Sequence, residues 1–232
     1  MNMTETPEQV VLEPSSGKAS ACLIWLHGLG ADGYDFVPVV QHMGSLMDTS
    51  QLRCIFPHAP KRPVTMANGT SMRSWYDILA MTPKRTIDPD QLADSVNRMY
   101  RLIQQQIDSG IPSWNIFIAG FSQGGAVAYQ TASSFGQTLG GLIALSTYVP
   151  DGSWVNPFKL HPANCQLQVM IAHGTVDPVV PISLATTALE QLRQHGLQPL
   201  WFSYPMQHEV SHPEIADVCR FLSSCLSHTQ AS

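Results

Sequence analysis

The run NIFIAGFSQGGA, residues 115–126, decides how the rest of the chain is read. Ile116-Phe117-Ile118-Ala119 is a short apolar run of the kind that forms a buried strand. Gly120-Phe121-Ser122-Gln123-Gly124 follows and matches G-x-S-x-G, and residues 125–135 then read as a helix. Strand, sharp turn and helix is the context in which this pattern makes a nucleophile elbow. Such a turn strains the backbone at the nucleophile, and glycines at 120 and 124 remove Cβ atoms that would clash there. Ser122 is therefore expected at the carboxyl end of a sheet, facing the N-terminus of the next helix. The bland alternative is a Gly-rich turn between two elements. The pattern is short enough to arise by chance, so partners elsewhere in the chain must decide.

Working outward, apolar runs alternate with helical patterns. Residues 21–26 (ACLIWL), 52–56 (LRCIF), 141–145 (GLIAL), 167–172 (LQVMIA) and 200–204 (LWFSY) read as strands. Residues 9–13 are expected as an edge strand. Helices are expected over 36–47, 181–195 and 213–226. The clearest helix opens at Asp88-Pro89-Asp90, with an Asp cap, Pro in the first turn and acids at the positive end of the dipole. Leu92, Val96, Met99, Ile103 and Ile107 recur at helical spacing, and Gly110 ends it. This alternation predicts an α/β fold with a mostly parallel sheet covered by helices on both faces. One domain over 1–232 is expected, with 1–8 and 228–232 as mobile termini.

Composition sets the class. The 232 residues are 44% hydrophobic and 12% charged, which suits a folded globular chain rather than a disordered one. A net charge of −5 argues against nucleic acid or an anionic membrane as partner. Five cysteines, an odd number without metal-site spacing, point to reduced thiols and a cytoplasmic location. MNMTETPEQ has neither a basic start nor an apolar core, so no signal peptide is expected. No apolar run reaches membrane-spanning length, so stable membrane insertion is not expected.

Residues 57–87 look irregular but carry Val64, Met66, Met72, Trp75, Tyr76, Ile78, Leu79 and Met81. A loop this long is usually functional or disordered. Its apolar content favours an ordered binding-site wall, with Met72, Trp75 and Tyr76 as substrate contacts. A satellite cluster packed under a surface loop is the competing reading.

Three other motifs lead elsewhere. Residues 28–33 (GLGADG) fit the dinucleotide pattern G-x-G-x-x-G, but the second strand ends Pro57-His58-Ala59 with no acid to hold a ribose. His208-Glu209-Val210-Ser211-His212 fits H-E-x-x-H, which binds zinc only on a helix. Pro213 disfavours helical backbone at His212, so no metal is expected. Ser15-Ser16-Gly17-Lys18 fits S-x-x-K, lies in a turn and has no companions.

A serine hydroxyl needs a base, and the base needs an acid to hold its tautomer. In this fold the chain order is serine, acid, histidine, each in a loop after a strand. Asp177 and His208 fit both conditions; Asp151 and His212 are the weaker rivals. The oxyanion needs donors placed in advance. The Gln123 N–H is one, its side chain mattering less than its position. The other should come from the early turn His27-Gly28-Leu29-Gly30.

At this point LIWLHGLGADGYDF, FPHAPKRPVT, SWYDI, GFSQGG, HGTVDPVVP and the closing His208 together resemble the phospholipase/carboxylesterase family. That family includes acyl-protein thioesterases and small bacterial carboxylesterases, and FPHAPKRPVT and SMRSWYDI look nearer the bacterial members. The resemblance implies an α/β-hydrolase fold. It implies Ser122 as nucleophile, His208 as base, Asp177 as acid, and the Leu29 and Gln123 N–H groups as the oxyanion hole. It also implies a small-molecule acyl ester as substrate, no cofactor, and a homodimer as an oligomeric option. The expected activity is serine carboxylesterase, extending to thioesters or lysophospholipids. The alternatives are an acyl-protein thioesterase and a silent binding protein on the same fold.

Overall fold

The computed structural model describes residues 1–81, 85–150 and 160–229. In chain order it contains β1 (Asn2–Thr6), β2 (Gln9–Glu13), β3 (Ala21–Leu26), α1 (Val37–Met43) and β4 (Leu52–Pro57). Four short strands follow: β5 (Lys61–Val64), β6 (Thr70–Arg73), β7 (Ile78–Ala80) and β8 (Thr86–Ile87). Then come α2 (Pro89–Asp108), β9 (Ile116–Phe121), α3 (Gln123–Ser134), β10 (Gly141–Leu145) and β11 (Val169–Gly174). The chain closes with α4 (Ile182–Gln194), β12 (Leu200–Tyr204) and α5 (His212–Thr229).

Eight strands form one sheet in the order β1-β2-β4-β3-β9-β10-β11-β12. The pairs β1/β2 and β2/β4 are antiparallel, and from β4 onward every pair is parallel. Both faces of the inner strands are covered, which is why they read as continuous apolar runs. Successive side chains alternate between the two cores. Cys22, Ile24, Leu26, Ile116 and Ile118 face one side with residues of α2, α3 and α4. Leu23, Trp25, Phe117 and Ala119 face the other with residues of α1 and α5. Asp88 caps α2 by accepting from the N–H groups of Asp90 and Gln91.

Several expectations are corrected. Residues 9–13 are not an edge strand: β1 pairs with β2 from Asn2↔Glu13 to Thr6↔Gln9, so β2 is an inner strand and residues 2–6 take the edge. All five β1 side chains are exposed, so no apolar pattern announces this strand. The strand expected at 167–172 runs two residues later, and α1 is shorter than 36–47. Residues 57–87 are built from the hairpins β5–β6 and β7–β8. Asp151, and 230–232 of the expected tail, lie outside the described residues.

Candidate active site

The elbow forms because Gly120 lets β9 meet α3, and Gly124 lets α3 meet the end of β3, without a Cβ between them. A Cβ at Gly120 would stand 2.5 Å from the Gly124 carbonyl oxygen, and one at Gly124 would stand 2.5 Å from the His27 carbonyl oxygen. Ser122 takes φ +53°, a left-handed value unusual for a residue with a Cβ. The surroundings hold it there. Its N–H donates to the Leu145 carbonyl at 3.0 Å, and Thr147 Oγ1 donates to its carbonyl at 2.6 Å. Its side chain is left free to face the loops above the sheet.

Those loops come from β11 and β12. Asp177 follows β11 and His208 follows β12, so both sit beyond the carboxyl ends of parallel strands, where open α/β sheets bind ligands. Gly174 lets the two loops cross, since a Cβ there would stand 2.4 Å from the carbonyl oxygens of Met206 and Gln207. Asp177 is buried, and its Oδ1 accepts from the N–H groups of Val179 and Val180 at 2.8 Å each. Its Oδ2 lies 2.6 Å from His208 Nδ1, and His208 Nε2 lies 2.9 Å from Ser122 Oγ. The carboxylate can only accept, so Nδ1 carries the proton and Nε2 offers its lone pair to the serine hydroxyl. A second histidine backs the acid. His173 is fully buried, donates from Nε2 to the Val180 carbonyl at 2.8 Å, and keeps that nitrogen 3.6 Å from Asp177 Oδ2. Burial lowers its pKa, so it stays neutral there.

The turn after β3 supplies a further part. His27 is buried, which lowers its pKa to about 4. The neutral ring donates from Nδ1 to the Gly28 carbonyl at 2.7 Å and accepts the Ala59 N–H on Nε2 at 3.0 Å. In a trans peptide the C=O and the next N–H point in opposite directions. Pinning the Gly28 carbonyl therefore also fixes the direction of the Leu29 N–H. Among the described residues, neither the Leu29 nor the Gln123 N–H has an acceptor.

The Gln123 side chain does more than sequence reasoning assigned to it. It is buried, accepts from the Trp75 N–H at 2.8 Å, and donates to the Tyr76 carbonyl at 2.7 Å and to Ser74 Oγ at 3.1 Å. Trp75 in turn donates its indole N–H to the His27 carbonyl at 2.9 Å. The elbow and the early turn are thus joined through residues 74–76.

A cavity of ≈ 420 Å³ opens onto Ser122 and His208. Leu29, Met66, Ile78, Met81, Val179 and Val180 give it apolar walls, with Arg85, Asp35 and Tyr148 as its polar groups. Met72, Trp75 and Tyr76, expected as substrate contacts, do not line it. Trp75 and Tyr76 are fully buried in the core, and Met72 lies on β6 with its Sδ 3.8 Å from where a Cβ on Gly30 would stand. The wall does come from residues 57–87, but from Met66, Ile78, Met81 and Arg85. Alternation within β7, with Ile78 buried and Leu79 exposed, is a signal that Ile78 points inward, but it does not reach Trp75 and Tyr76. Arg85 and Tyr148 carried no sequence signal.

The H-E-x-x-H stretch does not lie on one helix, because α5 begins at His212 and His208 stays in the preceding loop. No group of three metal-ligating side chains is found among the described residues. No helix among them is long and apolar enough to cross a membrane.

A mostly parallel sheet between helical layers, with serine, aspartate and histidine after β9, β11 and β12 in that order, defines an α/β-hydrolase. Within that class the sequence matches the Phospholipase/Carboxylesterase family across residues 7–226, and the chain belongs to it. It is an ester-hydrolase family. Acyl-protein thioesterase 1 of Gibberella zeae is 32% identical over 216 residues, covering 90% of this chain and 92% of that protein. Acyl-protein thioesterase 1 of Neurospora crassa is 33% identical over 223 residues, covering 93% of this chain and 91% of the relative. Among solved structures, Arabidopsis thaliana SOBER1 is 31% identical, covers 89% of this chain and 99% of its own, and superposes with a TM-score of 0.81. The Bacillus cereus carboxylesterase shares the fold at a TM-score of 0.75 and 16% identity, covering 94% of this chain and 93% of its own.

Proposed function

We propose that the chain hydrolyses acyl esters and thioesters through an acyl-enzyme formed on Ser122. The observation that carries this reading is His208 bridging Ser122 Oγ at 2.9 Å and Asp177 Oδ2 at 2.6 Å. His208 Nε2 takes the hydroxyl proton as Ser122 Oγ attacks the acyl carbon, and Asp177 stabilises the imidazolium. The carbonyl oxygen becomes an oxyanion held by the Leu29 and Gln123 N–H groups. The tetrahedral intermediate collapses, the leaving alkoxide or thiolate receives the proton from His208, and the acyl group stays on Ser122. Water, activated by the same histidine, attacks in a second cycle and releases the acid. Each step uses only groups of the chain and water.

The apolar cavity beside the serine supports an acyl chain as the bound portion. The fungal relatives are named acyl-protein thioesterases, which favours thioesters as a second substrate class. A silent binding protein would have no need of a complete proton relay. The test is Ser122→Ala: turnover of para-nitrophenyl butyrate is expected to fall by more than about 10³-fold with the urea midpoint little changed. A fluorophosphonate should label Ser122 and no other residue. Wild-type turnover by the alanine variant would overturn the proposal. Matched esters and thioesters of graded chain length then separate the two substrate classes.

A further inference from the structure

Arg85 has no role in the steps above, yet it lines the same cavity as Ser122 and His208. Its position is built rather than incidental. The residue precedes β8, and Thr86 pairs with Ala80 across the β7–β8 hairpin. Its guanidinium carbon lies 4.2 Å from the centre of the Tyr148 ring. Tyr148 is itself buried and fixed, because its hydroxyl meets that of the core residue Tyr76 at 2.6 Å. A rigid aromatic face therefore seats the cation.

The hydrogen-bonding capacity of this cation is mostly unspent. A guanidinium carries five N–H donors. One nitrogen donates to the Val179 carbonyl at 3.3 Å, and among the described residues Nε, shielded from solvent, has no acceptor. Among the described residues Arg85 makes no ion pair; Asp35 lines the same cavity without forming one with it. Arg85 is half-buried at the mouth of a cavity whose other walls, Ile78, Met81 and Val180 among them, are apolar, so an anion bound there would meet a cation with few competing partners. A planar, multiply donating cation suits a carboxylate or another oxyanion better than an alkyl chain.

We propose that Arg85 makes this site selective for acyl esters or thioesters bearing an anionic substituent, a carboxylate above all. This rests on the hydrolase reading of Ser122. The apolar walls hold the chain, and Arg85 pairs with the charge at its end or on the leaving group. Arg85 is thus a specificity-determining residue, and the substrate class shifts from simple alkyl esters toward half-esters of dicarboxylic acids or esters of acidic alcohols and thiols.

Two substrate pairs test this. In the first, the charge is on the acyl side: the para-nitrophenyl half-ester of adipic acid against para-nitrophenyl hexanoate. In the second, it is on the leaving group: para-carboxyphenyl butyrate against its neutral methyl ester. The wild type is expected to prefer the anionic member of one pair, and which pair reveals the side that Arg85 reads. Arg85→Met should lower kcat/KM for that anionic member by about 10- to 100-fold and change its neutral partner by less than about threefold. Arg85→Lys should keep part of the preference. Because a variant can be lost to misfolding, the wild-type preference is also followed from about 50 to about 500 mM salt, where it should shrink. No anionic preference in either pair, or an equal loss on both members in Arg85→Met, would overturn the proposal. Turnover of the neutral esters by the wild type stands apart from that outcome, so failure of this inference leaves the hydrolase reading intact.

Discussion

At Ser122 the backbone and the chemistry pull against each other. A φ of +53° with ψ −121° costs a residue bearing a Cβ about 1–3 kcal/mol. The strain is held by the Leu145 and Thr147 hydrogen bonds and leaves Oγ facing His208. Glycine adopts this conformation without penalty, although it usually costs about 0.5–1 kcal/mol relative to alanine through unfolded-state entropy. The usual order should therefore invert here. Ser122→Gly is expected to match or exceed Ser122→Ala in urea-unfolding stability, by up to about 1 kcal/mol, with both inactive. A glycine variant clearly weaker than alanine would show that the turn stores no such strain. The neighbouring Gln123 carries a different load. Replacing it with methionine keeps the volume and removes its bonds to Trp75, Tyr76 and Ser74. Ser74 Oγ still donates to the Tyr76 carbonyl at 2.6 Å, so the Trp75 N–H is the group left unpaired, and Gln123→Met should lose about 1–3 kcal/mol in denaturant unfolding. Because Trp75 also holds the His27 carbonyl, kcat should fall more than KM rises.

At the scale of elements, the approach of α3 to β9 is set by what is absent. A Cβ at Gly120 would meet the Gly124 carbonyl and the Gly125 nitrogen, both backbone atoms that cannot swing aside. Gly120→Ala must therefore push the helix off the strand and move Ser122 away from His208. Ester turnover is expected to fall at least about tenfold, and stability by more than the roughly 1–3 kcal/mol of ordinary overpacking. A fully active Gly120→Ala variant would refute this account of the elbow. The elbow was legible in the sequence because its constraints are local: an apolar run, two glycines and a helical pattern. The parallel sheet was legible because burial on both faces leaves ACLIWL and IFIA nearly free of polar residues. What stayed hidden depends on contacts with no local signature. β1 is held by its backbone ladder and a few polar contacts such as Thr6 Oγ1 with Gln9, with no apolar burial, so its exposed side chains resemble a tail. In residues 57–87, Trp75 and Met81 look equally apolar, yet one fills the core and the other the cavity rim. The side-chain bonds of Gln123 reach residues 47 to 49 positions away, beyond any motif.

For the whole molecule, pH acts on stability through groups outside the Ser122–His208–Asp177 relay. Glu214 opens α5 in a capping box: its N–H donates to Ser211 Oγ, and its Oε2 accepts the Ser211 N–H at 3.2 Å. The side chain is fully buried, and among the described residues Oε1 has no partner. Burial pushes its pKa up to about 8, with the nearby Asp217 adding to the rise and the Ser211 bond opposing it. Asp217 is held in turn by Tyr204 and Arg220. The folded chain thus keeps a proton on Glu214 until about pH 8, whereas the unfolded chain releases it near 4.5. Across that window the native state binds the extra proton, so stability falls as pH rises, by up to about 1.4 kcal/mol per pH unit for this group. His27 acts in the opposite sense. Its folded pKa of about 4 lies below the usual 6.5, so it removes stability as pH falls below 6.5. The two effects oppose each other between about 4.5 and 6.5, and Glu214 alone of this pair acts between about 6.5 and 8. Glu214→Gln keeps an acceptor for Ser211 and cannot ionise. Its stability relative to wild type, from urea midpoints at about pH 5, 6.5 and 8, is expected to rise steadily and gain a few kcal/mol by pH 8. A constant difference across the three pH values would mean that Glu214 titrates as an ordinary exposed acid. Activity per folded molecule should stay unchanged in the variant, because Glu214 makes no hydrogen bond to Ser122, Asp177 or His208.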